Sequence, residues 1–194
     1  GISTNPVLNS FQLAVNRYNI NLDLIKSFLY SMRMDLNAKN HDKTSYDTYI
    51  YGSAEVVGLM CLYVFVDGRM EDYIRLRPKA MKLGSAFQKI NFLRDIKEDS
   101  LALDRVYFPH LDLTRFDNDT KNKLLEEIEL EFEEALNGIR GLPATSQFGV
   151  YVAYLYYKEL CKTIRQLSAK ELLIKRARVS TFKKTCLLLK AYLM

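Results

Sequence analysis

Glycine and proline are scarce: 8 and 4 in 194 residues, with long stretches that carry neither. Such stretches favour helices over a turn-rich sheet protein. Cysteine is scarcer still. Cys61, Cys161 and Cys186 are odd in number, far apart and set in apolar helical surroundings. That argues against a disulfide framework or a zinc site and suits a reducing compartment. The two histidines, His41 and His110, are solitary and are assigned no role. No uninterrupted apolar run reaches about 20 residues, so no membrane span is expected. The N-terminus is neither basic nor signal-like, and a cytoplasmic protein is expected. The chain starts with Gly rather than Met, which suggests that it begins inside a larger protein.

The composition, 48% hydrophobic and 26% charged, supplies one sizeable core and fits a single domain over 1–194. Net charge is +5, unevenly spread. Acids gather at Glu126, Glu127, Glu129, Glu131, Glu133 and Glu134; bases gather toward the end, including Lys183, Lys184 and Lys190. A basic tail can meet anionic lipid or a diphosphate, and peripheral contact with the inner face of a membrane is expected. No nucleic-acid signature accompanies the charge, so no nucleic-acid partner is expected.

Periodicity and punctuation predict helices over 6–17, 21–34, 45–65, 70–99, 119–137 and 146–167, with a last one starting at 169 or 180 and ending near 189. A polar turn is expected over 37–43 and irregular chain over 100–118. Asn5 before Pro6 reads as an N-cap and first helical position. Gly138, Gly141 and Pro143 read as breakers of the acidic helix.

One segment carries most of the chemistry: Gln88-Lys89-Ile90-Asn91-Phe92-Leu93-Arg94-Asp95-Ile96-Lys97-Glu98-Asp99. At about 100° per residue, Gln88, Asn91, Asp95 and Asp99 fall within an arc of roughly 80°. Two amides followed by two carboxylates suit a hard divalent cation that also grips phosphate. The plainer reading is a solvated polar face. Against it, Arg94 and Lys97 lie away from the stripe, so the helix is polar on two sides.

The stretch Tyr49-Ile50-Tyr51-Gly52-Ser53-Ala54-Glu55-Val56-Val57-Gly58 is apolar nearly all round. Small residues in a helix interior cost about 1 kcal/mol each where they are glycine. Either a close helix crossing or a ligand against the surface must offset that. Tyr49 and Tyr51 fit a core or a pocket wall equally. Asp35, in Met34-Asp35-Leu36, fits a solvated helix end or a ligand. Tyr154 and Tyr157 share a face of an aromatic run, and Arg178, Lys183 and Lys184 fit a wet surface or a diphosphate site. The carboxylates of the acidic helix are dispersed and read as a solvated face.

Taken in order, these segments resemble the phytoene/squalene synthase family of head-to-head prenyltransferases. The stripe from Gln88 to Asp99, followed by Arg105-Val106-Tyr107-Phe108-Pro109, resembles that family's second aspartate-rich motif and its trailing loop. Tyr49 to Gly58 resembles its buried glycine-containing helix, Asp35 its preceding aspartate, and Tyr157 with Arg178-Val179-Ser180 and Lys183 its C-terminal pattern. The resemblance implies an all-α isoprenoid-synthase (terpenoid synthase) bundle around a central cavity. It implies Mg²⁺, or Mn²⁺ in its place, bridging aspartates to two prenyl diphosphates, with phytoene from geranylgeranyl diphosphate as product. Squalene or dehydrosqualene from farnesyl diphosphate is the near alternative, and a non-catalytic scaffold of the same fold the distant one. The lack of a nicotinamide-binding fingerprint leans toward phytoene or dehydrosqualene.

By this resemblance Asp95, Asp99 and Asn91 hold metal, with Glu98 in reserve. Gln88 assists at the diphosphate, and Tyr49 lines the reaction centre. Tyr51, Ser53, Ala54 and Val57 form the pocket wall; Asp35, Tyr157 and Arg178 belong to substrate binding. Two departures stand out. The family's first aspartate-rich motif has no counterpart here, which implies that the first helices are missing and that this chain is inactive alone. Glu55 stands where the family has a small residue; if buried it must be neutral or paired.

Overall fold

A computed structural model describes residues 3–36, 41–102, 105–109 and 111–192. His110, Gly1 and part of the expected polar turn lie outside them. The described chain is all-α, as the resemblance implies. Its helices are α1 (Pro6–Tyr18), α2 (Leu22–Met34), α3 (Lys43–Ile50), α4 (Val56–Phe65), α5 (Met70–Ala102), α6 (Asn118–Arg140), α7 (Ala144–Gln166), α8 (Ala169–Leu172) and α9 (Thr181–Tyr192). A π-helical turn, Tyr51–Glu55, joins α3 to α4, and a 3₁₀ turn, Leu113–Arg115, interrupts the otherwise irregular chain before α6.

The helix starts follow from capping chemistry. Asn5 accepts from the Val7 and Leu8 amides with Pro6 at the first helical position, Asn21 from the Asp23 amide and Asp42 from the Ser45 amide. The helix expected over 45–65 is therefore longer at its start and is broken internally by the π turn. Lys43–Phe65 has the length and composition of a membrane span. It is instead an interior element: Tyr46, Tyr49, Ile50, Val56, Leu59, Leu62 and Tyr63 along it are buried.

The acidic helix does not stop at Gly138 as expected but continues to Arg140. A side chain at Gly138 would strike the stem of Lys79 on α5, so this glycine serves a close crossing and not a break. Gly84 does the same on the other side of α5, where a Cβ would sit 2.6 Å from the Ala54 carbonyl oxygen of the π turn. Close packing thus accounts for part of the small-residue run.

The core is in two parts. One cluster joins α1, α2, α4 and the start of α5 through Val15, Leu24, Leu59, Leu62 and Leu76. The other joins the rest of α5 to α3, α6 and α7 through Ile50, Ile90, Leu93, Ile128, Phe132 and Ile164. α5 runs through both. At 33 residues it is about 50 Å long. Its C-terminal half carries the polar stripe.

Candidate active site

The stripe on α5 divides into an amide half and a carboxylate half. Asn91 Nδ2 donates to Gln88 Oε1 at 3.4 Å. Tyr157, on α7, donates its hydroxyl to Asn91 Oδ1 at 3.2 Å and stacks its ring on Phe87, centroids 3.9 Å apart. Three residues selected from sequence therefore form one chain of contacts between α5 and α7.

Asp95 is half-buried and fully engaged. Arg94 donates from Nε to Oδ1 at 2.9 Å and from Nη2 to Oδ2 at 2.5 Å. Arg176 Nε approaches Oδ1 at 2.6 Å. Burial acts to raise the Asp95 pKa, but the two guanidinium groups outweigh it and hold the carboxyl below its usual range. Arg94 is thus not apart from the stripe: its long side chain reaches sideways to the next residue. Arg178, expected to contact substrate, is exposed. Arg176, two residues earlier on a non-helical segment with no period to guide the assignment, reaches the carboxylate.

Asp99 has no cationic partner among the described residues. Burial and the neighbouring charge of Asp95 push it up to about 6, with Arg105 opposing and Glu98 and Asp35 adding to the rise. A carboxylate whose charge is disfavoured by burial and by a neighbouring carboxylate is a place that a cation would relieve. No three His, Cys, Asp or Glu side chains among the described residues gather closely enough to hold an ion by themselves. Mg²⁺ keeps several waters and takes one or two protein carboxylates plus phosphate oxygens; Asp99 fits that demand as it stands, and Asp95 fits it where Arg94 and Arg176 turn to phosphate. Glu98 is exposed beside them.

Asp35 follows the last residue of α2 and meets a second group. Tyr49 donates its hydroxyl to Oδ2 at 2.9 Å and Tyr107 to Oδ1 at 3.4 Å. Arg105 donates to the Asp35 backbone oxygen. Asp35 is therefore not a solvated helix end. Burial, then Tyr107 and Asp35, push the Tyr49 pKa far up, so its phenol stays protonated and donates. Around it Tyr107 stacks on Phe92 at 4.1 Å and His41 stacks on Tyr107 at 5.7 Å. His41 is buried with Nδ1 unpaired; burial lowers its pKa against the charges of Asp35 and Asp42. The sequence places Arg105 and Tyr107 only in the loop that trails the stripe and gives His41 no pattern.

At the Gln88 end of the stripe, between the two core clusters, lies a cavity of about 810 Å³. Ser53, Ala54 and Val57 line it, as expected, with Cys61, Leu83, Phe87 and Ile139 among the other walls and Gln88 at the polar side. Tyr51 does not. It faces a separate groove with Lys26, Tyr30 and Arg33, because two residues back from Ser53 is roughly 200° around a helix. Tyr49 likewise sits in the Asp35 group, outside the cavity lining. Glu55 is half-buried; burial and Glu131 push its pKa up, against Lys89 and Lys82. Glu131 is an exception to the solvated acidic face: it accepts from Ser85 Oγ at 3.0 Å and Lys89 Nζ at 2.8 Å.

The profile described as squalene/phytoene synthase matches residues 1–183. The 15-cis-phytoene synthase of Synechococcus elongatus is 30% identical over 195 residues, covering 88% of this chain and 62% of that protein. Phytoene synthase 1, chloroplastic, of Arabidopsis thaliana is 29% identical, covering 92% of this chain and 46% of that one. The chain thus spans about half to three-fifths of the length of these relatives. Among solved structures, a dehydrosqualene synthase superposes with a TM-score of 0.81 at 22% identity, covering 98% of this chain and 71% of that one.

Proposed function

This chain belongs to the squalene/phytoene synthase family, and from that premise we propose that it carries half of the active site of an enzyme of isoprenoid and carotenoid biosynthesis. The reaction is the Mg²⁺-dependent head-to-head condensation of two prenyl diphosphates, with geranylgeranyl diphosphate giving phytoene. The observation that supports the reading is the run of the polar stripe: Gln88 lines the apolar cavity, Asn91 bonds to Gln88, and one and two turns further along the helix come Asp95 and Asp99, with Arg94 and Arg176 on Asp95 and Arg105 on the Asp35 backbone.

The division of labour follows from the chemistry of each side. Asp99 and Asp95, with Asn91, would hold Mg²⁺, which neutralises charge on a departing diphosphate. Arg94, Arg176 and Arg105 are placed to take phosphate oxygens, for which the guanidinium fork is suited. The Tyr157–Asn91–Gln88 chain orients the polar head, while Ser53, Ala54 and Val57 seat the prenyl tail and exclude water from a reactive cation. Tyr49, a neutral donor fixed by Asp35, faces the head-group side with Tyr107. The choice of C20 substrate rests on the relatives' names, which are those of phytoene synthases. We further propose that turnover needs the family's first aspartate-rich motif.

The test uses the polypeptide extended upstream to the length of its relatives. With Mg²⁺ and geranylgeranyl diphosphate it should release diphosphate and a C40 hydrocarbon, and Asp99→Asn should lower the rate by about 10²–10³-fold with helicity kept. Normal turnover by the variant would remove the metal assignment. Turnover of farnesyl diphosphate alone would replace the product reading, and a folded protein without any prenyl turnover would favour a scaffold.

A further inference from the structure

Helix α5 is polar on two sides, so apolar burial alone does not fix its rotation about its own axis. One polar side is the stripe. Another carries Lys82, Ser85 and Lys89, which fall within an arc of roughly 60°. Ala80, Leu83, Gly84 and Phe87, which line the cavity, lie roughly opposite that arc. Ser85 is 1% exposed, so this second side is not a solvated face. It meets one carboxylate of α6. Glu131 accepts from Ser85 Oγ at 3.0 Å and from Lys89 Nζ at 2.8 Å, and Lys82 Nζ stands 3.8 Å away. The Lys89 and Glu131 side chains are 17% and 12% exposed. Glu55, on the π turn, lies in the field of the same two lysines and of Glu131. The acid that departs from the family's small residue therefore belongs to this cluster.

Such a cluster adds little to stability. An ion pair taken out of water loses in hydration about what it gains in charge attraction, and an apolar pair of similar volume does as well or better. What it adds is direction. Apolar side chains tolerate a small turn of one helix against another; two hydrogen bonds and a further charge converging on one carboxylate do not. A turn has a large effect on the far side. Side-chain ends stand about 5–6 Å from a helix axis, so a rotation of about 20° moves them about 2 Å. A misplacement of about 1 Å at a reacting group costs on the order of 10²-fold in rate.

We propose that Glu131 is a positioning residue for the reaction: with Ser85 and Lys89 it fixes the rotation of α5, and so the direction of Gln88, Asn91, Asp95 and Asp99. Neither Glu131 nor Lys89 lines the cavity; both act through the helix and not by contact with substrate. The role rests on the function proposed above.

The test removes the charges and keeps the volume. Glu131→Leu/Lys89→Leu should unfold at a temperature no lower than the unaltered chain. In the polypeptide extended upstream, with Mg²⁺ and geranylgeranyl diphosphate, this pair should lower kcat about tenfold or more and change KM less than about threefold. Lys89→Arg, which keeps the bond to Glu131, should retain most of the turnover. In the ¹⁵N-labelled chain itself, without metal or substrate, the leucine pair should shift the side-chain amide signals of Asn91, whose bonds to Tyr157 and Gln88 depend on the same rotation. Glu131→Gln/Lys89→Met carries the same expectations where the leucine pair does not fold. Unchanged kcat, a loss carried by KM alone, a loss matched by a lower unfolding temperature, or unmoved Asn91 signals would each overturn the positioning role. An extended polypeptide with no turnover at all would instead remove the proposed function, and the Asn91 signals would then decide the rotation by themselves.

Discussion

At the scale of single residues, the informative carboxyl is Asp99. Its pKa rises from 3.8 to about 6 in the folded chain. The folded state keeps a proton that the unfolded state has already lost, so its contribution to stability is present below 3.8 and is lost as pH rises through about 6. Denaturant midpoints of the chain and of Asp99→Asn should therefore converge at the acid end of that window. At neutral pH the native chain should be the weaker of the two, and added Mg²⁺ should recover part of the loss. A difference constant across the window would mean that the carboxyl is not perturbed. The stripe itself was legible because a helix repeats: amide and carboxylate positions spaced three and four apart have to share a face. The partners of Asp95 were not legible. Arg94 reaches its immediate neighbour by side-chain length, which periodicity ignores, and Arg176 comes from a segment without a period. His41 has no pattern around it, and only the folded chain brings Tyr49 and Tyr107 to it.

At the scale of elements, helix starts were written in Asn5, Asn21 and Asp42, residues whose short acceptors satisfy the free amides. The π turn was not legible, because Tyr51–Glu55 has the composition of ordinary helix. Nor could sequence say which glycines break helices and which serve crossings. Two of them predict opposite outcomes. Gly84→Val should cost about 2–3 kcal/mol, since its Cβ would meet the π turn's backbone 2.6 Å away. Gly149→Ala, with nothing within 4 Å of its Cβ, should instead gain about 0.5–1 kcal/mol from helix propensity. Thermal unfolding of the pair decides: a loss for both would mean that α7 is packed at Gly149, and a gain for both would mean that α5 and the π turn are not in contact.

At the scale of the whole molecule, the helical class was legible from scarce Gly and Pro and from 3.6-residue periodicity. The hollow followed from the family resemblance and not from composition, because Val57, Leu83 and Ile139 read the same whether they face another side chain or a void. Thiol chemistry can map that void. Cys186 and Cys61 are exposed, Cys61 on the cavity wall, and Cys161 is buried, its thiol pushed up to about 11 by burial and then by Glu129. Burial also raises Cys61. A small alkylating reagent followed by mass spectrometry should modify Cys186 first, Cys61 more slowly, and Cys161 only in denaturant. Protection of Cys61 equal to that of Cys161 would mean that the cavity wall at Cys61 is covered.

The hollow between the two core clusters also has a calorimetric consequence. Water inside it meets walls that offer few hydrogen bonds, so a long hydrocarbon guest displaces solvent that is poorly held. Its uptake should lower the heat capacity of the solution, whether or not any bond in the guest is ever broken.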